Sequence, residues 1–127
     1  MRGWRQQCGQ RGEQMAVAYL QGQGYRIAQQ NYRCREGEVD IIAWDGSTLV
    51  FVEVKTKTQL AFGSPEAMVT RPKQRKMTHV AMLYVAQHRL HNVDIRFDVV
   101  AILLAAEASP QVTHVPAAFT PSGHFMY

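Results

Sequence analysis

The sequence predicts an α/β fold in which a mixed β-sheet is flanked by helices. Two segments carry apolar residues at helical spacing, three strand-like segments lie between them, and a strongly apolar strand follows the second helix. A weaker segment near the C-terminus adds a last strand. A chain of 127 residues with 46% hydrophobic residues can bury one core, so we expect a single domain over residues 1–127.

The first helix is predicted over about residues 10–21 and ends before two glycines. Its apolar residues at helical spacing are Met15, Ala16, Val17, Tyr19 and Leu20. A moderately exposed strand should follow over residues 25–34, and the next two strands over residues 38–44 and 49–57. The Gly- and Pro-containing segment 61–72 predicts a loop with one helical turn.

The second helix should begin near Pro72, since proline suits a first helical turn. Its predicted core stripe is Met77, Val80, Ala81, Tyr84 and Val85, with Arg75, Lys76, Gln87 and Arg89 facing outward. Residues 94–105 predict a largely buried strand. Residues 112–119 predict a short last strand, which Pro116 confines to an edge of the sheet.

Charge and cysteine content narrow the class of protein. Lys and Arg number 14 against 10 acidic residues, a net charge of +4, which permits a polyanionic partner without requiring one. Cys8 and Cys34 are too far apart for a Cys-x-x-Cys motif and too few for a disulfide framework, so we expect reduced thiols. No apolar run is long enough to span a bilayer, and the N-terminus lacks the apolar core of a signal peptide. We therefore expect a cytoplasmic protein.

Charged residues occur inside the two best strands: Asp40 in the first, and Glu53 and Lys55 in the second. A charge in an apolar setting is costly unless it is paired or bound to a metal. Strand alternation places Glu53 and Lys55 on one face. A loop with an even number of residues brings Asp40 to that face: a four-residue loop puts it directly across from Glu53, and a two-residue loop at residues 45–46 puts it diagonally.

Facing carboxylates repel each other, and a hard divalent cation relieves that repulsion. The Val54 backbone carbonyl is a candidate for a further ligand. Glu13 stands at the upstream end of the inward face of the first helix and is a candidate for the same cluster. Two alternatives remain: a solvated, salt-bridged hairpin face for the strand residues, and a contact with the helix N-terminal dipole for Glu13.

Two short stretches carry a resemblance to known nucleases. Gly37-Glu38-Val39-Asp40 and Phe51-Val52-Glu53-Val54-Lys55 resemble the active-site core of the PD-(D/E)xK nuclease superfamily, in particular its archaeal Holliday-junction resolvases. Longer stretches, RGEQMAVAYLQGQGYRI, FGSPEAMVTRPKQRKM, RFDVVAIL and HVPAAF, are similar to the YraN-like family of small bacterial proteins. The proline that names the superfamily motif is absent, because Val39 stands before Asp40.

The superfamily resemblance implies a restriction-endonuclease-like αβββαβ core. It also implies Asp40 and Glu53 as metal ligands, Lys55 as the residue that orients or activates the attacking water, and Glu13 as the helical acidic residue. Mg²⁺ or Mn²⁺ held by carboxylates can supply what phosphodiester cleavage requires. We expect a Mg²⁺-dependent endonuclease acting on branched or damaged DNA, with a homodimer as the candidate assembly. The alternative is a catalytically silent nuclease-like module that binds nucleic acid or a protein.

Contacts to the nucleic-acid backbone are predicted from residues near the site in sequence: Lys57, Arg71, Lys73, Gln74, Arg75 and Lys76. A solvated helix face is the alternative, since no aromatic residues are interleaved. The histidines show no zinc spacing, and His88 and His91 are expected at a helix C-terminus. Asp98, inside an apolar strand, is expected to be structural and to have a partner.

Overall fold

A computed structural model describes residues 3–58, 64–105 and 108–121, with only the backbone of Arg5 and Glu66. The elements in chain order are α1 (Trp4–Gly22), β1 (Arg26–Cys34), β2 (Gly37–Asp45), β3 (Thr48–Lys57), α2 (Arg71–Gln87), β4 (Asp94–Leu103) and β5 (Gln111–Phe119). A short 3₁₀ turn, Pro65–Met68, precedes α2. The predicted order of elements is confirmed, including the helical turn in the loop.

The strands form one five-stranded sheet in the order β1-β2-β3-β4-β5. Strands β3 and β4 are parallel and the other neighbours are antiparallel, so α2 is the crossover connection that parallel strands need. This mixed sheet with two helices is consistent with a restriction-endonuclease-like core. Strand β5 lies at an edge, as predicted from Pro116, which has no N–H to donate.

Each face of the sheet carries one helix and one apolar cluster. Helix α2 packs on the face that presents Ile42, Phe51 and Phe97, and α1 packs on the opposite face. The predicted stripe of α2 is buried throughout, at Met77, Val80, Ala81, Tyr84 and Val85. The four residues predicted to face outward are all exposed. Burial of one side of α2 is therefore what fixes its position on this face of the sheet, against β2.

The ends of α2 are set by local contacts. Helix α2 begins at Arg71, and the Thr70 hydroxyl at its N-cap accepts a hydrogen bond from the Lys73 N–H at 3.4 Å. Pro72 lies in the first turn as predicted. At the other end, His88 follows the helix with its Nδ1 2.9 Å from the Tyr84 carbonyl oxygen. The predicted place of His88 at a helix C-terminus is thus confirmed, whereas His91, predicted there too, lies four residues beyond the last residue of α2.

Helix α1 begins at Trp4, six residues before its predicted start. The added turns are largely exposed, so they carry no apolar periodicity that a sequence pattern could detect. Their Gln and Arg residues are good helix formers. The predicted C-terminal end near Gly22 is confirmed.

Two further features concern the chain as a whole. Cys8 and Cys34 are both free thiols. Neither helix of the described residues has the length and apolar character needed to cross a membrane.

Candidate active site

Strands β2 and β3 form a hairpin whose register decides where the strand carboxylates lie. The turn occupies residues 46–47, and Trp44 pairs with Leu49. This is the register predicted for a four-residue loop, extended by one further pair. Asp40 therefore falls opposite Glu53, as predicted.

Strands β2 and β3 separate at these carboxylates. We call this opening, formed by Asp40, Glu53 and the backbone of Val54, the fork. The main-chain ladder between β2 and β3 ends at the pair of Ile41 and Val52, one position before Asp40 and Glu53. Val39 packs on the α2 face and Ile41 on the α1 face, although strict alternation would place them on the same side. Strand β2 therefore twists at Asp40, which the sequence pattern did not predict.

Strand β1 is irregular at the matching position. Asn31 lies between the two residues that pair with Val39 and Ile41, and its φ of 52° is in the left-handed region. Asn tolerates this conformation better than most residues. The Asn31 side chain is also hydrogen-bonded to Glu13 of α1. Asn31 thus links the twisted part of the sheet to the helix above it.

The Asp40 carboxylate takes the place of a main-chain partner in the fork. Its Oδ2 accepts a hydrogen bond from the Val54 N–H at 2.7 Å. The N–H and C=O of one strand residue point to the same side, so the Val54 carbonyl is directed toward the same gap. The predicted carbonyl ligand therefore lies on the side of β3 that faces Asp40.

Glu53 is buried beside Asp40, with 5% of its surface exposed. Burial, the charge of Asp40 and a hydrogen bond between the two carboxyl groups, in that order of size, raise the pKa of Glu53, which reaches about 7 overall. Lys73 and Lys55 act in the opposite direction. Two acidic groups this close cannot easily both be ionised without a compensating cation.

Two lysines reach the same oxygen of Glu53. Lys55 Nζ and Lys73 Nζ each lie 3.6 Å from Glu53 Oε2. Lys55 stands two positions along β3, as predicted from alternation. Lys73 comes from the first turn of α2, and its Nζ is also 3.5 Å from the Glu38 carbonyl oxygen. Sequence reasoning assigned Lys73 to the nucleic-acid backbone and missed its contact with Glu53, because no spacing rule links a strand to a helix so far along the chain.

Glu13 of α1 faces the fork from the other side of the sheet. It is partly buried, and burial together with the charge of Asp40 raises its pKa, although the Asn31 hydrogen bond lowers it. Glu13 lies in the third turn of α1, since the helix begins at Trp4. The alternative in which Glu13 only complements a helix N-terminus is therefore wrong.

Gly12 explains how Glu13 comes so close to the sheet. A Cβ at this position would overlap the Thr56 hydroxyl, so only glycine allows this approach of α1 to β3 without displacing Thr56. Gly12 was not recognised from the sequence. Its signal, a single glycine inside a helical pattern, is also typical of positions without such a contact.

The predicted nucleic-acid contacts are dispersed around the site. Four of them are exposed: Lys57, Arg71, Arg75 and Lys76. The Gln74 side-chain amide donates a hydrogen bond to the Val69 carbonyl oxygen at 3.1 Å and so stabilises the start of α2. A shallow groove of about 400 Å³ beside the fork is lined by Arg33, Cys34, Gly37, Glu38, Lys73 and Lys76. Arg33 of β1 forms the basic rim of this groove together with Lys73 and Lys76, and was missed because it is distant in sequence from the other two.

The donor set at the fork suits one kind of ion. Among the described residues, no group of three or more His, Cys, Asp or Glu side chains is close enough to hold a metal. Mg²⁺ does not need such a group, because it keeps several waters and takes one or two carboxylates. Asp40, Glu53 and the Val54 carbonyl fit that requirement, and a divalent cation would offset the repulsion that raises the pKa of Glu53.

Comparisons with known proteins place the chain in a family. Residues 12–102 match the profile described as "Uncharacterised protein family UPF0102". The chain belongs to this family. The expected YraN-like membership is confirmed, and the matched range includes Glu13 and all the residues of the fork.

Relatives of this UPF0102 chain match it over most of their length. The UPF0102 protein of Geotalea uraniireducens is 50% identical over 111 residues, covering 87% of both chains. That of Trichlorobacter lovleyi is 46% identical over 115 residues, covering 90% of this chain and 91% of the relative. That of Mycolicibacterium vanbaalenii is 44% identical over 111 residues, covering 87% and 92%. These names state a family and no activity.

A second polar cluster in the UPF0102 chain surrounds Asp98, whose side chain is fully buried. Arg96 Nε and Nη2 donate to its two oxygens at 2.9 and 3.0 Å, His114 Nε2 lies 2.8 Å away, and the Ala117 N–H donates at 3.0 Å. Arg96 also donates to Asp45 at 2.9 Å and to the Tyr25 hydroxyl at 2.6 Å. The expected partner of Asp98 is therefore a set of several donors.

These donors decide the ionisation of Asp98. Burial would raise its pKa, but the hydrogen bonds from His114, Arg96 and the Ala117 N–H outweigh burial and lower it. The four described histidines gather at no common site: His114 belongs to the Asp98 cluster, His79 lies 3.8 Å from Glu36, and His88 is at the end of α2. The fifth, His124, lies outside the described residues.

Proposed function

We propose that this protein is a Mg²⁺- or Mn²⁺-dependent endonuclease that cleaves the backbone of structured DNA, branched or damaged. The observation that supports this most is the fork. Asp40 and Glu53 lie side by side where the main-chain pairing of β2 and β3 ends, and Lys55 contacts the Glu53 carboxylate. Repelling carboxylates with a lysine beside them are costly to keep in a structural role. They are useful where a cation and a phosphate must meet.

Each residue of the fork has a role in this proposal. Asp40, Glu53 and the Val54 carbonyl would hold the ion, and the Val54 N–H orients the Asp40 carboxylate. A bound divalent cation activates water and neutralises charge on the phosphate. Lys55 donates from its ammonium to the attacking water or to a phosphate oxygen. Glu13 acts as a positioning residue, because its charge faces Asp40 while Asn31 holds its carboxylate.

Binding of the polyanion would rest on the basic rim. Arg33, Lys73 and Lys76 line the groove next to the fork, and the chain carries a net charge of +4. The choice of branched DNA rests on the resemblance of the strand motif to Holliday-junction resolvases. A homodimer would present two such sites to the symmetric strands of a junction. We place this activity in the cytoplasm.

The test combines cleavage and metal binding in variants of the fork. With Mg²⁺ or Mn²⁺, the wild type should cleave at least one of four-way-junction, nicked, single-stranded and duplex DNA. Asp40→Asn and Glu53→Gln should lose both cleavage and metal binding, whereas Lys55→Ala should lose cleavage and keep the metal. Asp94→Asn, which changes an exposed carboxylate at the start of β4, is the matched control and should behave as wild type.

The same material tests the silent binding module. If the wild type cleaves none of these substrates but still binds DNA, the enzyme proposal fails and the binding module remains. Backbone binding in either case should weaken steeply with salt. Replacing Arg71, Lys73 and Lys76 by Ala should lower both the affinity and the salt dependence.

A further inference from the structure

We infer that Lys73 is an exchangeable counter-ion of the fork. Its ammonium group pairs with Glu53 while no metal is bound and moves to a substrate phosphate when a divalent cation binds. This inference rests on the proposed function and adds a coupling between metal and nucleic acid. It concerns a residue that no sequence motif assigns to the metal centre.

When both of its carboxyl groups are ionised, the charges of the fork balance without a metal. Asp40 and Glu53 supply two carboxyl groups, and Lys55 and Lys73 supply two ammonium groups. Both ammonium groups lie 3.6 Å from one oxygen, Glu53 Oε2, on a side chain that is only 7% exposed. An ion that binds this carboxylate therefore competes for an oxygen that two cations already share.

A divalent cation upsets this balance. With both lysines in place, the fork would hold four positive charges against two negative ones. Each ammonium group would be repelled by the ion twice as strongly as by another lysine at the same distance. The excess of positive charge falls by one when one ammonium moves away from Glu53 and by one more when an anion joins. A phosphate of the nucleic acid does both, because it is itself an anion and offers the displaced ammonium a new partner.

Lys73 is better placed to move than Lys55. Lys55 stands on β3, two positions from Glu53 on the same face, so its stem stays beside the carboxylate. Lys73 reaches across from the first turn of α2, where the Thr70 cap fixes its backbone while its side chain is 28% exposed. Lys73 also lines the open groove with Arg33 and Lys76. Its long stem can carry the ammonium from Glu53 into this groove without any change in the helix.

The consequence is a reciprocal coupling. If DNA removes the Lys73 ammonium from Glu53, then DNA must tighten cation binding, and the cation must tighten DNA binding by the same factor. A variant without the ammonium binds the cation more tightly on its own, because nothing needs to be displaced. The same variant loses the coupling.

The first measurement is a calorimetric titration of Mg²⁺ into free protein at one ionic strength. Lys73→Gln should bind Mg²⁺ about five- to tenfold more tightly than wild type. Arg89→Gln is the matched control, since it removes an equal charge from an exposed residue just after the same helix that does not line the groove; it should agree with wild type within about twofold. Lys73→Arg keeps the charge and should also resemble wild type.

The second measurement repeats the titration with a saturating four-way DNA junction carrying phosphorothioate linkages to slow cleavage. The junction should tighten Mg²⁺ binding by about tenfold in wild type and in Arg89→Gln, and by less than twofold in Lys73→Gln. Equal or weaker Mg²⁺ binding by free Lys73→Gln, or an unchanged coupling, would overturn the inference and leave the nuclease proposal standing. Absence of Mg²⁺ binding by wild type, with and without DNA, would overturn both.

Discussion

Asp98 and Glu53 are both buried carboxylates on neighbouring strands, yet their surroundings differ in kind. Asp98 faces α1 and receives hydrogen bonds from Arg96, His114 and the Ala117 N–H, which lower its pKa. Glu53 faces α2 beside a second carboxyl group, and its pKa is raised to about 7. Burial opposes ionisation at both positions. The number of donors that the fold supplies decides the outcome.

The difference separates a structural cluster from a site. The Asp98 cluster is complete, because every oxygen has a donor and the charge of Arg96 lies against it. The fork brings two acidic groups together. Their negative charge is compensated in part by Lys55 and Lys73, whose Nζ atoms each lie 3.6 Å from Glu53 Oε2. Ionisable side chains in an unfavourable electrostatic environment are common at sites where a bound ligand supplies the missing charge. Four expected results test this contrast, from the largest effect to the smallest.

Substitution of the two carboxyl groups should change stability by very different amounts. Asp98→Asn leaves Arg96 without its buried counter-charge and should lower the free energy of unfolding by about 3–5 kcal/mol. Glu53→Gln relieves repulsion from Asp40 and should change it by less than about 1 kcal/mol, or raise it. Urea denaturation of both variants without metal at neutral pH measures this. Similar losses in the two variants would remove the distinction.

The pH dependence of stability should also have opposite signs. The pKa of Glu53 rises from 4.5 in the unfolded chain to about 7, so without metal the folded protein should lose roughly 3 kcal/mol as pH rises through this window. The pKa of Asp98 is lowered on folding, so its stabilisation is present above the unfolded value and is lost as pH falls through the folded value. Glu53→Gln should abolish the first effect alone. Unfolding at a series of pH values would show a persistent slope if Glu53 were not its source.

A divalent cation should stabilise the protein through the fork, and this effect should not depend on the Asp98 cluster. At ten times its dissociation constant, Mg²⁺ should add about 1.4 kcal/mol to the wild type, an increase of roughly 3–5 °C in Tm. Asp40→Asn should show no increase. Tyr25→Phe, which alters only the Asp98 side, should show the full increase; thermal melts with Mg²⁺ and with a chelator give the comparison.

The smallest effect concerns the outer part of the Asp98 cluster. Tyr25→Phe removes the hydroxyl that accepts a hydrogen bond from Arg96 Nη2 at 2.6 Å. Because Arg96 keeps its bonds to Asp98 and Asp45, we expect a loss of only about 1 kcal/mol. Denaturation of this variant measures it. A loss as large as that of Asp98→Asn would show that Tyr25 holds the whole cluster.

Much of the fold could be predicted because apolar residues followed strand and helix periods where one face is buried. The facing of Asp40 and Glu53 also followed from local rules, since an even turn fixes the pairing across a hairpin. The start of α1 could not be predicted, because exposed turns leave no apolar pattern. Lys73 at Glu53 is a tertiary contact, set by where α2 packs, and no local pattern encodes it.

The hydrogen bond from the Val54 N–H to Asp40 has a spectroscopic consequence. Elsewhere in the centre of the sheet, amide protons are held by main-chain carbonyls and exchange with solvent only when the strands separate. The Val54 proton is held by a carboxylate that a cation would recruit. If a cation binds there, the exchange rate and chemical shift of this proton should report its binding, while the amide of Val52, one pair before the fork, should report the opening of the hairpin itself.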